Sequence, residues 1–138
     1  MLTHRHATII GDIPDDWEAR PLRQLLSRHA GGDWGADEGE QHVRVLRSTN
    51  FTDSGYLDFG DVARRYFTSE KAAQFALTRD DILLERSGGG PTQPVGRIGI
   101  VESDLPGHWF SNFVQLLRSN RDEIEPQYLA WVLFELPL

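Results

Sequence analysis

Cysteine is absent from the 138 residues, which excludes disulfides and thiolate metal sites and gives no sign of an oxidising compartment. Long apolar runs are absent as well. Nowhere do about 18 apolar residues follow one another, and the opening MLTHRHATIIGDIP holds no apolar core long enough for a signal peptide. A cytoplasmic location with no membrane contact is the expectation. Lysine is nearly absent: of 14 basic residues only Lys71 is not arginine. Arginine suits planar, two-pronged recognition of guanine edges and phosphates, although GC-rich codon usage produces the same bias. What remains is ordinary for a soluble globular chain, with 39% hydrophobic and 25% charged residues, enough for one domain with its own core.

The net charge is −7, which taken alone speaks against a polyanionic partner. Its distribution changes that inference. Residues 1–40 and 102–138 are each −4, whereas residues 41–101 are +1. The acidity therefore lies outside the central segment.

That segment contains DDILLERSGGGPTQPVGRIGIV, residues 80–101. Ile82 to Leu84 and Ile98 to Val101 read as two strands flanking a loop from Glu85 to Gly96. Gly88, Gly89 and Gly90 open backbone conformations closed to other residues, while Pro91 and Pro94 restrict the loop. A loop of this length between strands is usually functional. A nucleotide cradle is excluded. The last glycine is followed by Arg97-Ile98-Gly99, a strand pattern, and not by Lys-Ser/Thr opening a helix, and the three contiguous glycines lack dinucleotide-binding spacing.

Elsewhere the pattern predicts further short strands and a few short helices. Residues 1–12 read as a flexible leader and 13–138 as a single domain. Trp17 to Arg20 is expected as a short strand, and Leu22, Leu25 and Leu26 as an amphipathic helix starting near Pro21. Residues 30–41 read as an exposed turn-rich loop in which Trp34 is either a lid over the core or a contact residue. Val43 to Leu46 is a strand candidate, and Tyr56 to Val62 an irregular one. Arg64, Arg65 and Tyr66 precede a helix over 69–76 capped by Thr68 or Ser69. Trp109 to Leu117 reads as one strand. Gln127 to Leu136 is a final helix, apolar around most of its circumference, that should be buried or packed against another partner.

Catalytic signals are weak. The histidines are scattered without metal-site spacing, and no serine stands in an elbow sequence. Asp81 with Glu85 has the outward pattern of nuclease metal ligands, but the lysine such a site usually adds is missing.

The series Ile13-Pro14 with Trp17 and Leu22, GGDWG, VRVLRSTNF, ARRYF, the 80–101 stretch, FSNFVQLLR and PQYLAWVLF resembles the target recognition domain of the type I restriction-modification specificity subunit. The resemblance covers residues 13–134. It implies an α/β (α+β) globule of irregular, mostly antiparallel strands with a few short helices, reading one half of a split double-stranded DNA target. It also implies no catalysis and no cofactor in this chain, because separate subunits carry the adenine methyltransferase and the motor and nuclease. Whole specificity subunits carry two such domains joined by long helices, so a second specificity half is a further implied partner. For DNA reading, donors and acceptors must sit on loops that reach a groove. Three stretches supply them: Arg47, Ser48, Thr49 and Asn50; Arg86, Ser87, Gly88, Gly89, Gly90 and Gln93; and Ser111 with Asn112. Arg47, Arg86, Asn50 and Gln93 are the leading base readers; Ser48, Thr49, Ser87 and the glycine amides suit phosphates. The alternative from another class is an adaptor, in which the acidic ends and the terminal helix dock a methyltransferase or second specificity chain without base readout.

Overall fold

The computed structural model describes residues 4–87, 91 and 95–135, which fold into a sheet-rich α+β arrangement with few helices. Alternation sets the first sheet. In β4 (Gln41–Leu46) Val43 and Val45 are buried while His42 and Arg44 are exposed, a period-two pattern. β5 (Ala63–Phe67) pairs antiparallel with β4, and β10 (His108–Phe110) runs parallel along its other side. That parallel pairing departs from the otherwise antiparallel ladders.

The second sheet has the order β3 (Leu26–Gly31), β11 (Val114–Ser119), β7 (Ile82–Glu85), β8 (Ile98–Ile100). β7 is covered on both faces, which explains its Ile82–Leu84 run, and the Leu116–Leu117 pair of β11 is buried on both faces beside it. Leu83 and Leu116 join Val43, Val45, Phe67, Phe75 and Trp109 in the core shared with the first sheet. Ile82 and Leu117 turn the other way, under Leu129 and Ala130 of α2 (Pro126–Glu135). The opposite side of α2 leaves Tyr128, Trp131 and Phe134 exposed. Two small ladders complete the strands: β1 (Arg5–Thr8) with β2 (Gly11–Pro14), and β6 (Ala76–Leu77) with β9 (Leu105–Pro106).

Several local expectations change. The leader carries the β1–β2 hairpin, and Trp17 to Arg20 forms no strand. The leucines after Pro21 make only a 3-10 turn over Leu22–Leu25, because Leu26 onward is taken up by pairing with β11. The helix after Thr68 is α1 (Ser69–Ala72), with the Thr68 hydroxyl accepting from the Lys71 amide. It ends early because Phe75 leaves to stack on Trp109, ring centres 4.7 Å apart, with Phe67 edge-on at 4.9 Å. Arg64 to Tyr66 lie inside β5. The single strand expected over 109–117 is two, broken at Ser111 where the chain passes from one sheet to the other. Among the described residues no helix is long and apolar enough to cross a membrane.

Asp81 precedes β7 with a fully buried side chain, and its oxygens accept from the Thr78 amide (2.8 Å) and from Arg118 Nε (2.7 Å) and Nη2 (2.9 Å). Arg121, which binds Asp80 at 2.8 Å, is by contrast mostly solvated. In urea unfolding, Asp81→Asn should lower stability by about 3 kcal/mol, since it leaves Arg118 uncompensated. Arg121→Ala should cost less than about 1 kcal/mol.

Candidate nucleic-acid interface

Strand pairing brings the three polar stretches to one place. β4 and β10 are parallel with Leu46 beside Phe110, so the turns leaving the two strands lie side by side, and the Ser111 amide donates to the Leu46 carbonyl (2.8 Å). β7 and β11 are antiparallel with Glu85 beside Val114, so the exit of β7 meets the entry of β11. There the amides of Arg86 and Ser87 both donate to the Phe113 carbonyl, at 2.8 and 3.2 Å.

Trp34 adds a wall. Its segment approaches the Phe110–Ser111 backbone so closely that a Cβ on Gly32 would stand 2.0 Å from the Ser111 carbonyl oxygen, and the Asp33 amide donates to Phe110 O (2.9 Å). Only glycine fits there. Asp33 accepts from the Gly35 amide (2.9 Å) and from Lys71 Nζ (2.6 Å), and that lysine bond holds the Asp33 carboxyl below its usual range. Arg65 lies 4.5 Å over the Trp34 ring and Arg47 5.9 Å. Trp34, Arg47, Ser48, Thr49, Asn112 and Phe113 enclose an open pocket of about 480 Å³.

One buried ion pair clamps these parts. Glu85 is 2% exposed at the end of β7. Arg97, entering β8, donates to both its oxygens, Nε at 3.2 Å and Nη2 at 3.0 Å. The same guanidinium reaches the carbonyls of Ser48 (3.2 Å) and Phe51 (3.4 Å). Hydrogen bonding to Glu85 outweighs burial and raises the Arg97 pKa above its ordinary value. The clamp joins the base of the β7–β8 loop to the turn after β4.

The expected residues separate into two groups. Arg47, Thr49, Arg86 and Asn112 offer side chains to solvent. Arg47 reaches Thr49 Oγ1 (3.1 Å) and Asp61 (3.2 Å); Arg86 binds Gln115 Oε1 (2.9 Å) and, among the described residues, has no carboxylate within salt-bridge distance. Ser87 is half-buried beside them.

Asn50 and Ser111 are corrections. Asn50 is 2% exposed; its Oδ1 accepts from the Arg47 amide (3.0 Å) and its Nδ2 donates to the carbonyls of Asp58 and Asp61 (2.9 Å each), so it builds the turn and cannot reach a base. Ser111 is 3% exposed with Oγ accepting from the Phe113 amide (3.3 Å), which makes it a corner residue. The Ser48 hydroxyl is buried, with no partner among the described residues. Gly88, Gly89, Gly90 and Gln93 lie outside the described residues. Arg97, Phe113 and Gln115 were missed; a charged residue ending an apolar strand, as Glu85 does, was the available signal for a buried partner.

The carboxylates suggestive of a nuclease are engaged by arginine, Asp81 by Arg118 and Glu85 by Arg97. Among the described residues, no group of three or more His, Asp or Glu is placed to hold a metal.

No family model matches the chain. A protein of Methanocaldococcus jannaschii, provisionally named type I restriction enzyme MjaX specificity subunit, is 28% identical over 135 residues. The similarity covers 91% of this chain and 29% of that protein, so the chain spans less than a third of its relative's length.

Arg97→Met should cost about 3–5 kcal/mol in urea unfolding by stranding Glu85, and Arg97→Met with Glu85→Leu should recover most of that loss. Because the Asp33 carboxyl is held low, its anchoring of the Trp34 loop is complete above about pH 4 and is lost on acidification through the lower folded value. In Lys71→Met the loss should move to higher pH, as read by NMR titration of the Asp33 carboxyl carbon.

Proposed function

We propose that this chain is a DNA target recognition domain of a type I restriction-modification specificity subunit. It reads one half of a bipartite double-stranded target and positions a separate adenine methyltransferase subunit, with residues 13–138 acting as one domain in the cytoplasm. The observation that carries this reading is the gathering of Arg47, Thr49 and Asn112 around one open pocket, with the Arg86 backbone tied to Phe113 at its edge and the Glu85–Arg97 clamp beneath. Similarity to a protein named as a specificity subunit, over most of the chain, supports it.

The chemistry rests on the groups available. Arg47 and Arg86 can each fork onto guanine O6 and N7, and Asn112 can take adenine N6 and N7. Thr49 and Ser87 suit phosphate oxygens, and the Gly88–Gly90 amides and Gln93, next in the chain, are the remaining groups of this reading. No step of catalysis is assigned to this chain; methylation and cleavage belong to the modification and motor subunits, and no cofactor is required here.

An adaptor reading rests on a different observation, the exposed Tyr128, Trp131 and Phe134 of α2. An exposed aromatic strip of this kind suits a protein partner, either the methyltransferase or a second specificity half.

Selection from random duplexes, with and without the modification subunit, tests both. A reader enriches one short split sequence, and Arg47→Ala or Arg86→Ala then relaxes preference at a single position and costs about 1–3 kcal/mol. Subunit binding without enrichment favours the adaptor, and unchanged preference and affinity in Arg86→Ala removes that residue from the reading face.

A further inference from the structure

The outer face of the β10–β4–β5 sheet carries charge that the fold does not neutralise. Arg44 lies directly opposite Arg64 in antiparallel register, and His108 lies beside Arg44 on its other side. Residues so paired project from the same face. Arg44 and Arg64 are exposed, and among the described residues neither has a carboxylate within salt-bridge distance. The three strands contain no Asp or Glu, although the chain has 21. Arg20, Arg47, Arg65, Arg97, Arg118 and Arg121 have acidic partners; Arg5, Arg23, Arg28, Arg79 and Arg86 share with Arg44 and Arg64 the lack of one among the described residues, but only Arg44 and Arg64 stand directly opposite each other with neither neutralised.

Like charges placed opposite each other weaken a strand pair. An acidic chain that leaves two arginines abreast, on strands free of acid, holds a site with the complementary charge of an anion. We infer that Arg44 and Arg64 form a phosphate-binding strip that grips the backbone of a DNA duplex. The inference rests on the proposed function, because Arg44 precedes the Arg47 turn by three residues at the end of β4. Arg47 follows Arg44 three residues on, about 10 Å at strand rise and, by the period of two, toward the other side of the sheet, so the strip engages backbone that flanks the bases read rather than the same groove edge. Guanidinium forks match phosphodiester oxygens at either position. The strip supplies affinity and register, and the Arg47–Arg86 face supplies sequence.

The test is fluorescence anisotropy of the full chain on a random-sequence 30-base-pair duplex across a salt series, beside selection from the same library. Arg44→Gln/Arg64→Gln should flatten the slope of log affinity against log salt by about 2, one unit for each phosphate released. It should bind at least tenfold more weakly at low salt and enrich the same sequence as the unmodified chain. Arg44→Lys/Arg64→Lys should keep the slope. Melting of the glutamine variant should be unchanged or raised, since a repulsion is removed, and this separates lost binding from lost fold.

Enrichment by the unmodified chain with an unaltered slope in the glutamine variant overturns the strip and leaves the reader standing. A flattened slope without enrichment supports the strip and overturns the reader. No duplex binding at low salt overturns both. Competition by poly-glutamate of matched charge as effective as that of the duplex also overturns the strip, since the face then takes acidic polypeptide.

Discussion

A carboxylate ends the most buried strand of this fold, and the placement of the polar face depends on how it is neutralised. Glu85 cannot remain ionised in the interior without a partner. Its partner, Arg97, comes from the far side of the loop that Glu85 itself begins, so the pair closes that loop at its base. Two further donors of the same guanidinium then reach carbonyls in the turn after β4. Against a well-packed apolar pair such a bridge gains little stability. What it adds is direction, because a planar fork meeting two oxygens and two carbonyls fixes one sheet's edge against the other's.

The rest of the candidate face is built from backbone contacts made possible by that edge. Ser111 and Phe113 hold the corner between sheets through main-chain bonds, and Gly32 lets the Trp34 segment lie flat against it. The groups left to solvent are carried on short turns closed by the 3-10 geometry of Ser48–Asn50 and the Ser111 hydroxyl. Such turns hold donors near a fixed position, and affinity then loses less to ordering on contact.

Legibility in the sequence followed the range of the interactions. The β7 and β8 strands, the Thr68 cap and the terminal helix were readable because residues within a few positions decide them. Arg64 to Tyr66 gave no strand signal, since β5 has no clean alternation and is defined by pairing with β4. The break at Ser111 was hidden because both halves of 109–117 are strand; only the two-sheet topology separates them. Leu22, Leu25 and Leu26 have helical spacing over one turn, too short to outweigh the ladder with β11. In the site, Arg47, Arg86 and Asn112 were legible as polar groups at strand ends. Asn50 misled for the same reason: its acceptors, the carbonyls of Asp58 and Asp61, lie eight and eleven residues on, a distance composition does not reveal.

Net charge is a poor guide to what this molecule can bind. At physiological salt a charge is felt over about 8 Å, so what decides the charge around Arg44 and Arg64 is local: their strands hold no Asp or Glu, and among the described residues neither has a carboxylate within salt-bridge distance. The arginines thus divide by environment. Those beside buried or nearby carboxylates, such as Arg97 and Arg118, hold the fold, and their charge is consumed locally. Arg44, Arg64 and Arg86 have no such partner among the described residues, and all three are exposed. On the proposed reading the acidic surplus of residues 1–40 and 102–138 has a use of its own, since it repels a polyanion from the surfaces those residues form and so favours approach on the arginine-bearing one.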